Sequence, residues 1–221
     1  MVSVNFILLL LILPPILMMS VLVDRKMRLL LLFLVVGMVA AFLSGQVNSV
    51  IGSLTGLSSF YISIHISPIV EELLKAFPVV LCLVAFRPKK RYIIGYAVAA
   101  GLGFAFFENA WAFAQSVSVV PGWEDIAFAL SRGFGASMVH SLCTVILVYG
   151  IYHCLYVRKL MFTGPLALFS LVTIFHSMFN VLIQSKYTLA PFLLTLGTYA
   201  VLIALFRRQK KKSAEDAKRD R

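Results

Sequence analysis

The sequence predicts an all-α, polytopic membrane protein: a bundle of about seven transmembrane helices with a polar cavity in its outer half. The composition indicates the class, because 61% of the 221 residues are hydrophobic and only 13% are charged. A soluble globular domain has roughly twice that charged share. The mean hydropathy of +0.95 agrees with this assignment. Most of the chain is therefore expected to lie in lipid.

Seven apolar windows are long enough to cross a bilayer, for which about 20 helical residues suffice. They cover residues 4–23, 29–46, 68–86, 92–116, 126–157, 160–183 and 189–206. We therefore predict a transmembrane helical domain over residues 1–206 and a basic cytoplasmic tail over residues 207–221. The first window lacks the basic start and small-residue cleavage site of a signal peptide, so it is expected to remain a helix. The longest connection, residues 47–67, is expected to form a partly buried or amphipathic lid on the outer side.

Basic residues indicate which connections face the cytoplasm. Of the 20 Lys and Arg residues, 17 lie in alternate connections: 24–28, 87–91, 158–159 and from Arg207 onward. Short cytoplasmic loops retain positive charge, so a multi-pass protein of the cell membrane is expected, with its N-terminus outside and its C-terminus cytoplasmic. The net charge of +11 is thus a topology signal. It favours contact of the tail with anionic lipid and no nucleic-acid partner.

Ionisable residues recur inside four of the predicted helices, where they are costly and usually functional. The ionisable residues are Glu71, Glu72 and Lys75 in the third helix, Glu108 in the fourth, His140 in the fifth and His176 in the sixth. The amide side chain of Asn180 lies near His176 in the sixth helix. One ionisable residue from each helix lies 16 to 18 positions from the nearest cytoplasmic basic residue. At 1.5 Å per residue this is about 24–27 Å above the cytoplasmic edge. The four helices are therefore expected to meet at one level in the outer half of the membrane.

The spacing within each helix places polar groups on one face. Residues four positions apart lie on the same side of a helix. The pairs are Glu71 with Lys75, Phe104 with Glu108, His140 with Thr144, and His176 with Asn180. Each helix can therefore direct one polar stripe toward the bundle interior.

Carboxylates and histidines at one depth are the groups that hydrolysis inside a membrane requires. A buried carboxylate can take a proton from water, while a histidine or an amide can donate to the resulting oxyanion. Histidine and glutamate also ligate zinc, and catalytic zinc sites keep one position open for water. The sequence contains no H-E-x-x-H or G-x-S-x-G motif and no aspartate in a predicted helix. If the protein is a protease, these absences leave a glutamate-dependent or a zinc-dependent mechanism.

Two other classes of protein account for the same residues. A proton-coupled membrane transporter can use a Glu/His cluster as a relay, although an odd helix number and the lack of an inverted repeat do not favour it. A non-catalytic membrane scaffold can keep the cluster to bind helices. A transporter should keep its function when Asn180 is changed, and a scaffold should tolerate Glu71→Gln, whereas a protease should lose turnover with either substitution.

The motifs resemble those of the PrsW family of intramembrane proteases, which is related to CAAX-processing and bacteriocin-processing membrane endopeptidases. The family's E-E-x-x-K, F-x-x-x-E and two histidine motifs read here, in order, EELLK (71–75), FAFFE (104–108), HSLCT (140–144) and HSMFN (176–180). The CAAX relatives usually have Arg one residue later in the first motif and His in place of the second-motif Glu. Lys75 and Glu108 therefore favour the PrsW side.

The resemblance implies an intramembrane endopeptidase whose partners are the lipid bilayer and a membrane protein or peptide substrate. In PrsW-like proteins the substrate is a single-pass anti-sigma factor. The implied roles are Glu71 as water-activating base with Glu72 as its partner, Glu108 and His140 as water- or metal-positioning residues, His176 and Asn180 as oxyanion donors or ligands, and Lys75 and Phe104 as supporting residues. The candidate metal ligands are Glu108, His140 and His176. The family is described as a metalloprotease family, whereas the related CAAX enzymes are argued to use glutamate alone, so zinc stays open.

Overall fold

Five long helices follow one another in the part of the chain that the computed structural model describes, which is residues 25–116, 123–155 and 157–184 with individual positions between 191 and 208. They are α1 (Arg25–Thr55), α2 (Ser67–Phe86), α3 (Lys90–Ser116), α4 (Trp123–Cys154) and α5 (Thr163–Ile183). A short α-helical turn at Ser59–Tyr61 and a π helix at Ile62–Ile66 lead directly into α2. No strand occurs within these ranges.

The all-α membrane class is confirmed. Among the residues that the structure describes, four helices contain stretches long and apolar enough to cross a membrane: Met27–Thr55, Tyr92–Ala112, Gly133–Cys154 and Thr163–Ile183. The other long helix, α2, carries the charges of the EELLK motif. The first predicted helix (4–23) and the tail from Gln209 onward lie outside the described residues, and the described positions between 191 and 208 are helical.

The second predicted helix ends too early at residue 46, because α1 continues to Thr55. The hydropathy of the sequence falls at SGQVNS, yet these residues stay helical. The helix ends at Gly56, which adopts a φ of +68° and donates its N–H to the Gly52 carbonyl oxygen over 2.9 Å. Glycine reaches this left-handed conformation without steric cost, which is why it commonly ends helices. The expected connection from residue 47 is therefore wrong over its first nine residues, 47–55.

Glycines set the distances between α1, α3 and α4. A Cβ at Gly37 of α1 would overlap the Ala100 carbonyl group of α3, and one at Gly103 of α3 would overlap the Leu34 carbonyl group of α1. Gly101 makes the corresponding approach to the Ser141 backbone of α4. Small residues allow membrane helices to pack backbone against backbone. This packing fixes where α3 holds the side chains that follow, including Phe104 and Glu108.

The helices surround α2 on several sides. Helix α3 packs between α1 and α4, α4 packs on α5, and α2 contacts each of α1, α3, α4 and α5. Buried apolar residues form one large cluster, mainly from α2 to α5, and a smaller cluster joining Met38, Ala40 and Ala41 of α1 to Phe104 and Phe107 of α3. Polar groups on the inner face of α2 can therefore reach three other helices.

Substituting Gly103 tests the close α1–α3 packing. Gly103→Ala is expected to lower the free energy of unfolding by about 1–3 kcal/mol, because the new methyl group forces the two backbones apart. Thermal unfolding in detergent measures this. Gly133→Ala is the matched control, since a Cβ there meets nothing within 4 Å. Equal stability of the two variants would contradict the packing argument.

Candidate active site

A fully buried ion pair on α2 forms the centre of the site. Lys75 Nζ lies 2.7 Å from Glu72 Oε1, and both side chains are 0% exposed. The pair is i,i+3 along the helix, so Lys75 contacts Glu72 rather than the i,i+4 residue Glu71. A buried charge left without a partner would cost several kcal/mol. Each member of this pair therefore needs the other.

Both members of the pair also contact a histidine from another helix. Lys75 Nζ lies 2.9 Å from His140 Nδ1 of α4, and Glu72 Oε1 lies 2.8 Å from His176 Nδ1 of α5. At the far side of the first histidine, His140 Nε2 lies 2.8 Å from Glu108 Oε2 of α3. Four helices thus meet through one chain of contacts, and the predicted convergence is confirmed.

The protons in this chain follow from what each group can donate. An ammonium group only donates hydrogen bonds, so His140 Nδ1 accepts from Lys75 and its Nε2 carries the hydrogen that is donated to Glu108. A carboxylate only accepts, so His176 Nδ1 donates its hydrogen to Glu72. As a neutral imidazole, His176 then has a free lone pair on Nε2. The buried ion pair therefore determines the tautomer of both histidines.

Aromatic contacts hold the same groups in place. Phe104, the first residue of the FAFFE motif, lies with its ring centroid 4.9 Å from Lys75 Nζ and 4.8 Å from the His140 ring centroid. The His140 and His176 rings are 4.8 Å apart and nearly perpendicular. A ring face next to an ammonium group is attractive when both are desolvated. The family resemblance implied a supporting role for Phe104, and these contacts favour that role.

Glu71 faces a pocket instead of the ion pair. Its Oε2 lies 3.5 Å from His176 Nε2, is buried and has no hydrogen-bond partner. The pocket has a volume of about 700 Å³, and its lining includes Glu71, Glu108, Asn180 and residues from the end of α1. A buried carboxylate oxygen without a donor is unusual. Here it lies beside a free imidazole nitrogen, at a cavity that has room for water or a ligand.

Asn180 joins α5 to the π helix. Its Nδ2 donates to the Ser63 carbonyl oxygen over 2.9 Å, and Gln184 Nε2 donates to Ser63 Oγ over 3.1 Å. The wider turn of a π helix disturbs the regular hydrogen-bond pattern of an α helix, and such turns are frequent at functional sites. Asn180 thus holds the segment that leads into α2 and also lines the pocket. Its role as an oxyanion donor stays a prediction.

One group of side chains in the described part of the chain could hold a metal ion. Glu71, His140 and His176 each offer a ligand atom, and these atoms lie within 4.8 Å of one another. The family resemblance predicted both histidines as metal ligands, together with the carboxylate of Glu108. In the structure Glu108 contacts His140, while Glu71 completes the group, so Glu108 as a ligand stays a prediction.

Residues that the sequence analysis did not select also contribute. Asn48 of α1 donates from Nδ2 to Ser67 Oγ at the start of α2 over 2.7 Å, and the Ser63 carbonyl oxygen is held by Asn180 as described. The small polar pairs repeated in SGQVNSVIGS (44–53) could have indicated that Asn48 lies on a functional helix face. A backbone carbonyl leaves no such signal in the sequence.

The fold and the site define a polytopic helical membrane protein with a buried glutamate, histidine and lysine centre beside a pocket. A family model described as PrsW family intramembrane metalloprotease matches residues 25–206. The chain therefore belongs to the PrsW family of intramembrane proteases, as the motifs predicted. No significant match was found among curated proteins or among solved structures.

Removing the ammonium group tests the central ion pair. Lys75→Met is expected to lower the free energy of unfolding by about 3–5 kcal/mol, because Glu72 is left as an unpaired buried charge. Combining it with Glu72→Gln should recover much of that loss. Unfolding titrations in mixed detergent measure both proteins. A double variant no more stable than Lys75→Met would show that the charge is not the cause.

Proposed function

We propose that this protein is an intramembrane endopeptidase in which Glu71 activates the water that cleaves the substrate. The observation that carries the proposal is the position of Glu71 Oε2, buried at the pocket with no hydrogen-bond partner and 3.5 Å from His176 Nε2. A water molecule in the pocket that contacts both atoms would donate a hydrogen to each. Its oxygen lone pairs would then face the pocket, where a substrate carbonyl group can bind.

The reaction needs only the groups already described. Glu71 takes one proton from the water, and the hydroxide oxygen bonds to the carbonyl carbon of the substrate. The tetrahedral oxyanion needs hydrogen-bond donors, for which we propose the Asn180 amide, whose Nδ2 has a second N–H besides the one donated to Ser63. As the C–N bond breaks, Glu71 passes its proton to the leaving amine. A carboxylic acid and a free amine result, and Glu71 returns to its carboxylate form.

The two adjacent glutamates have different tasks in this proposal. Glu72 is engaged by Lys75 and His176, so it fixes His176 with its free nitrogen toward the pocket. We propose that Glu72 acts as a positioning residue, in keeping with its expected role as the partner of Glu71. Glu108, which donates no hydrogen as a carboxylate, orients His140 from the opposite end of the chain of contacts.

Zinc is a cofactor that the donor set can accept. Glutamate oxygen and histidine nitrogen are zinc ligands, and a carboxylate on the far nitrogen, as Glu72 is on His176, commonly orients a metal-bound histidine. Glu71, His140 and His176 would hold the ion, and His140 would release its Nε2 hydrogen. Bound zinc would lower the pKa of its water ligand and polarise the substrate carbonyl. Glu108 would then be the unligated carboxylate at the pocket.

Topology and substrate class complete the proposal. The alternation of basic connections supports a topology with the N-terminus outside and the tail in the cytoplasm, and we propose that the pocket lies in the outer half of the membrane. The substrate is a membrane-embedded or membrane-proximal protein, such as a single-pass anti-sigma factor in regulated proteolysis. Membership of a protease family favours hydrolysis over a transporter relay.

Loss of Glu71 should abolish cleavage. Glu71→Gln is expected to lower turnover about 10²–10⁴-fold, because a general base is removed while the shape of the side chain is kept. A mass-spectrometric inventory of membrane-protein fragments, taken from cells with equal levels of wild type and variant, measures this. His153→Ala is the control, since His153 packs on Tyr149 and Tyr152. Identical inventories for wild type and Glu71→Gln under several stresses would refute the protease proposal.

Metal content is a separate test. If zinc is the cofactor, purified wild type and His153→Ala will each carry about one zinc ion per chain, because the ligands lie in one buried group. His176→Ala should lose most of it, since one ligand is removed. Elemental analysis of the purified proteins gives the answer. Active wild-type protein without zinc or another metal would leave the glutamate mechanism as the correct one.

A further inference from the structure

The end of α1 presents a stripe of small polar residues to the pocket. The pairs recur every four positions in the sequence SGQVNSVIGS, so they share one helix face. We define the α1 stripe as Ser44, Gly45, Asn48, Ser49, Gly52 and Ser53, all of which line the pocket. The proposed mechanism does not use this wall. Its residues need a different explanation from those around Lys75.

The pocket joins the α1 stripe to a group that points to a ligand. Glu71 lines the same cavity, is only 8% exposed, and has an oxygen with no hydrogen-bond partner. A second acceptor lies on the stripe itself. Asn48 donates from Nδ2 to Ser67 Oγ, and this bond leaves Oδ1 buried with no partner. Buried acceptors of this kind normally have a donor. The catalytic water supplies one to Glu71, and a bound molecule with an N–H group would supply one to Asn48 Oδ1.

We propose that the α1 stripe binds the backbone of an unwound, extended segment of the substrate, with Asn48 Oδ1 accepting one of its N–H groups. This proposal rests on the proposed function and adds the binding mode. A helical substrate uses its own N–H groups internally and exposes none to a neighbour along its length. A segment unwound for cleavage frees those groups inside the membrane. There they need partners, and the stripe supplies one next to Glu71.

The dimensions agree with this binding mode. Ser44 and Ser53 are nine residues apart, which is about 13 Å along an α helix and matches about four residues of extended chain. Small side chains also allow a second backbone to approach a helix closely. The stripe can therefore accommodate a short extended segment with the scissile bond near Glu71.

Photo-crosslinking tests the binding mode without requiring cleavage. The protein carries Glu71→Gln and a photoreactive phenylalanine analogue in place of either Ser49 or Val47, the latter a 40% exposed α1 residue outside the pocket lining. The probes are two biotinylated single-span peptides of about 20 apolar residues, one with a leucine core and one with a central Gly/Pro break. We expect the broken peptide to label position 49 well above position 47 and above the leucine peptide. Equal labelling at both positions would overturn the proposal.

Kinetics on an identified substrate test the Asn48 contact. Asn48→Leu is expected to raise KM about fivefold with little change in kcat, because one hydrogen bond to the substrate is lost. Ser67→Ala is the matched control, since it removes the Asn48–Ser67 bond but leaves Oδ1 in place, and its KM should change less. Equal KM values for the two variants would overturn the proposal.

The two proposals fail in different ways. Selective labelling at position 49 by the broken peptide, without any fragments from wild type, would mean that the chain binds unwound polypeptide and does not cleave it. Fragments from wild type together with unselective labelling would support the protease and remove the α1 stripe from its substrate site.

Discussion

The buried ion pair between Glu72 and Lys75 is the interaction on which the rest of the site depends. Both side chains are fully buried, so neither charge can be satisfied by bulk water. Each therefore requires further polar partners, which come from His140 and His176. Because those histidines lie on α4 and α5, satisfying one ion pair also docks two helices against α2. The polar centre is thus a condition for the packing as well as for the chemistry.

The ion pair also separates the functions of two neighbouring glutamates. Consecutive residues of an α helix point about 100° apart, so Glu72 can face the interior of the helix bundle while Glu71 faces the pocket. Glu72 Oε1 is held by Lys75 and His176, and each glutamate has an Oε2 without a hydrogen-bond partner, but of the two only Glu71 lines the pocket. A protein needs both kinds of carboxylate here: one to fix the imidazole and one to react. Their adjacency in the sequence follows from the need to be near each other but oriented differently.

Much of this arrangement was predictable from the sequence, because ionisable residues in a membrane helix have few tolerable positions. Glu108, His140 and His176 could be placed at one level by counting from basic residues, and the contacts bear this out. The choice of Lys75 between Glu71 and Glu72 could not be predicted, since both spacings are compatible with a helix. The C-terminal end of α1 was also predicted wrongly. Its polar residues face a pocket, and their low hydropathy resembles that of a loop between helices. The bond from Asn180 to the Ser63 carbonyl oxygen involves a backbone group, which no residue pattern reveals.

The hydrogen-bond chain also defines what separates a metal-free mechanism from a zinc-dependent one. His176 donates its Nδ1 hydrogen to Glu72. Its Nε2 can therefore accept a hydrogen bond from water or bind a metal ion without rearrangement. His140 differs, because Lys75 donates to its Nδ1 and leaves the hydrogen on Nε2, pointing at Glu108. A metal ion bound at His140 Nε2 would displace that one hydrogen, whereas the metal-free mechanism keeps it donated to Glu108. The two mechanisms therefore use the same residues in different tasks: Glu71 is the base in one and a ligand in the other, and the hydrogen that His140 donates to Glu108 is kept only in the metal-free one.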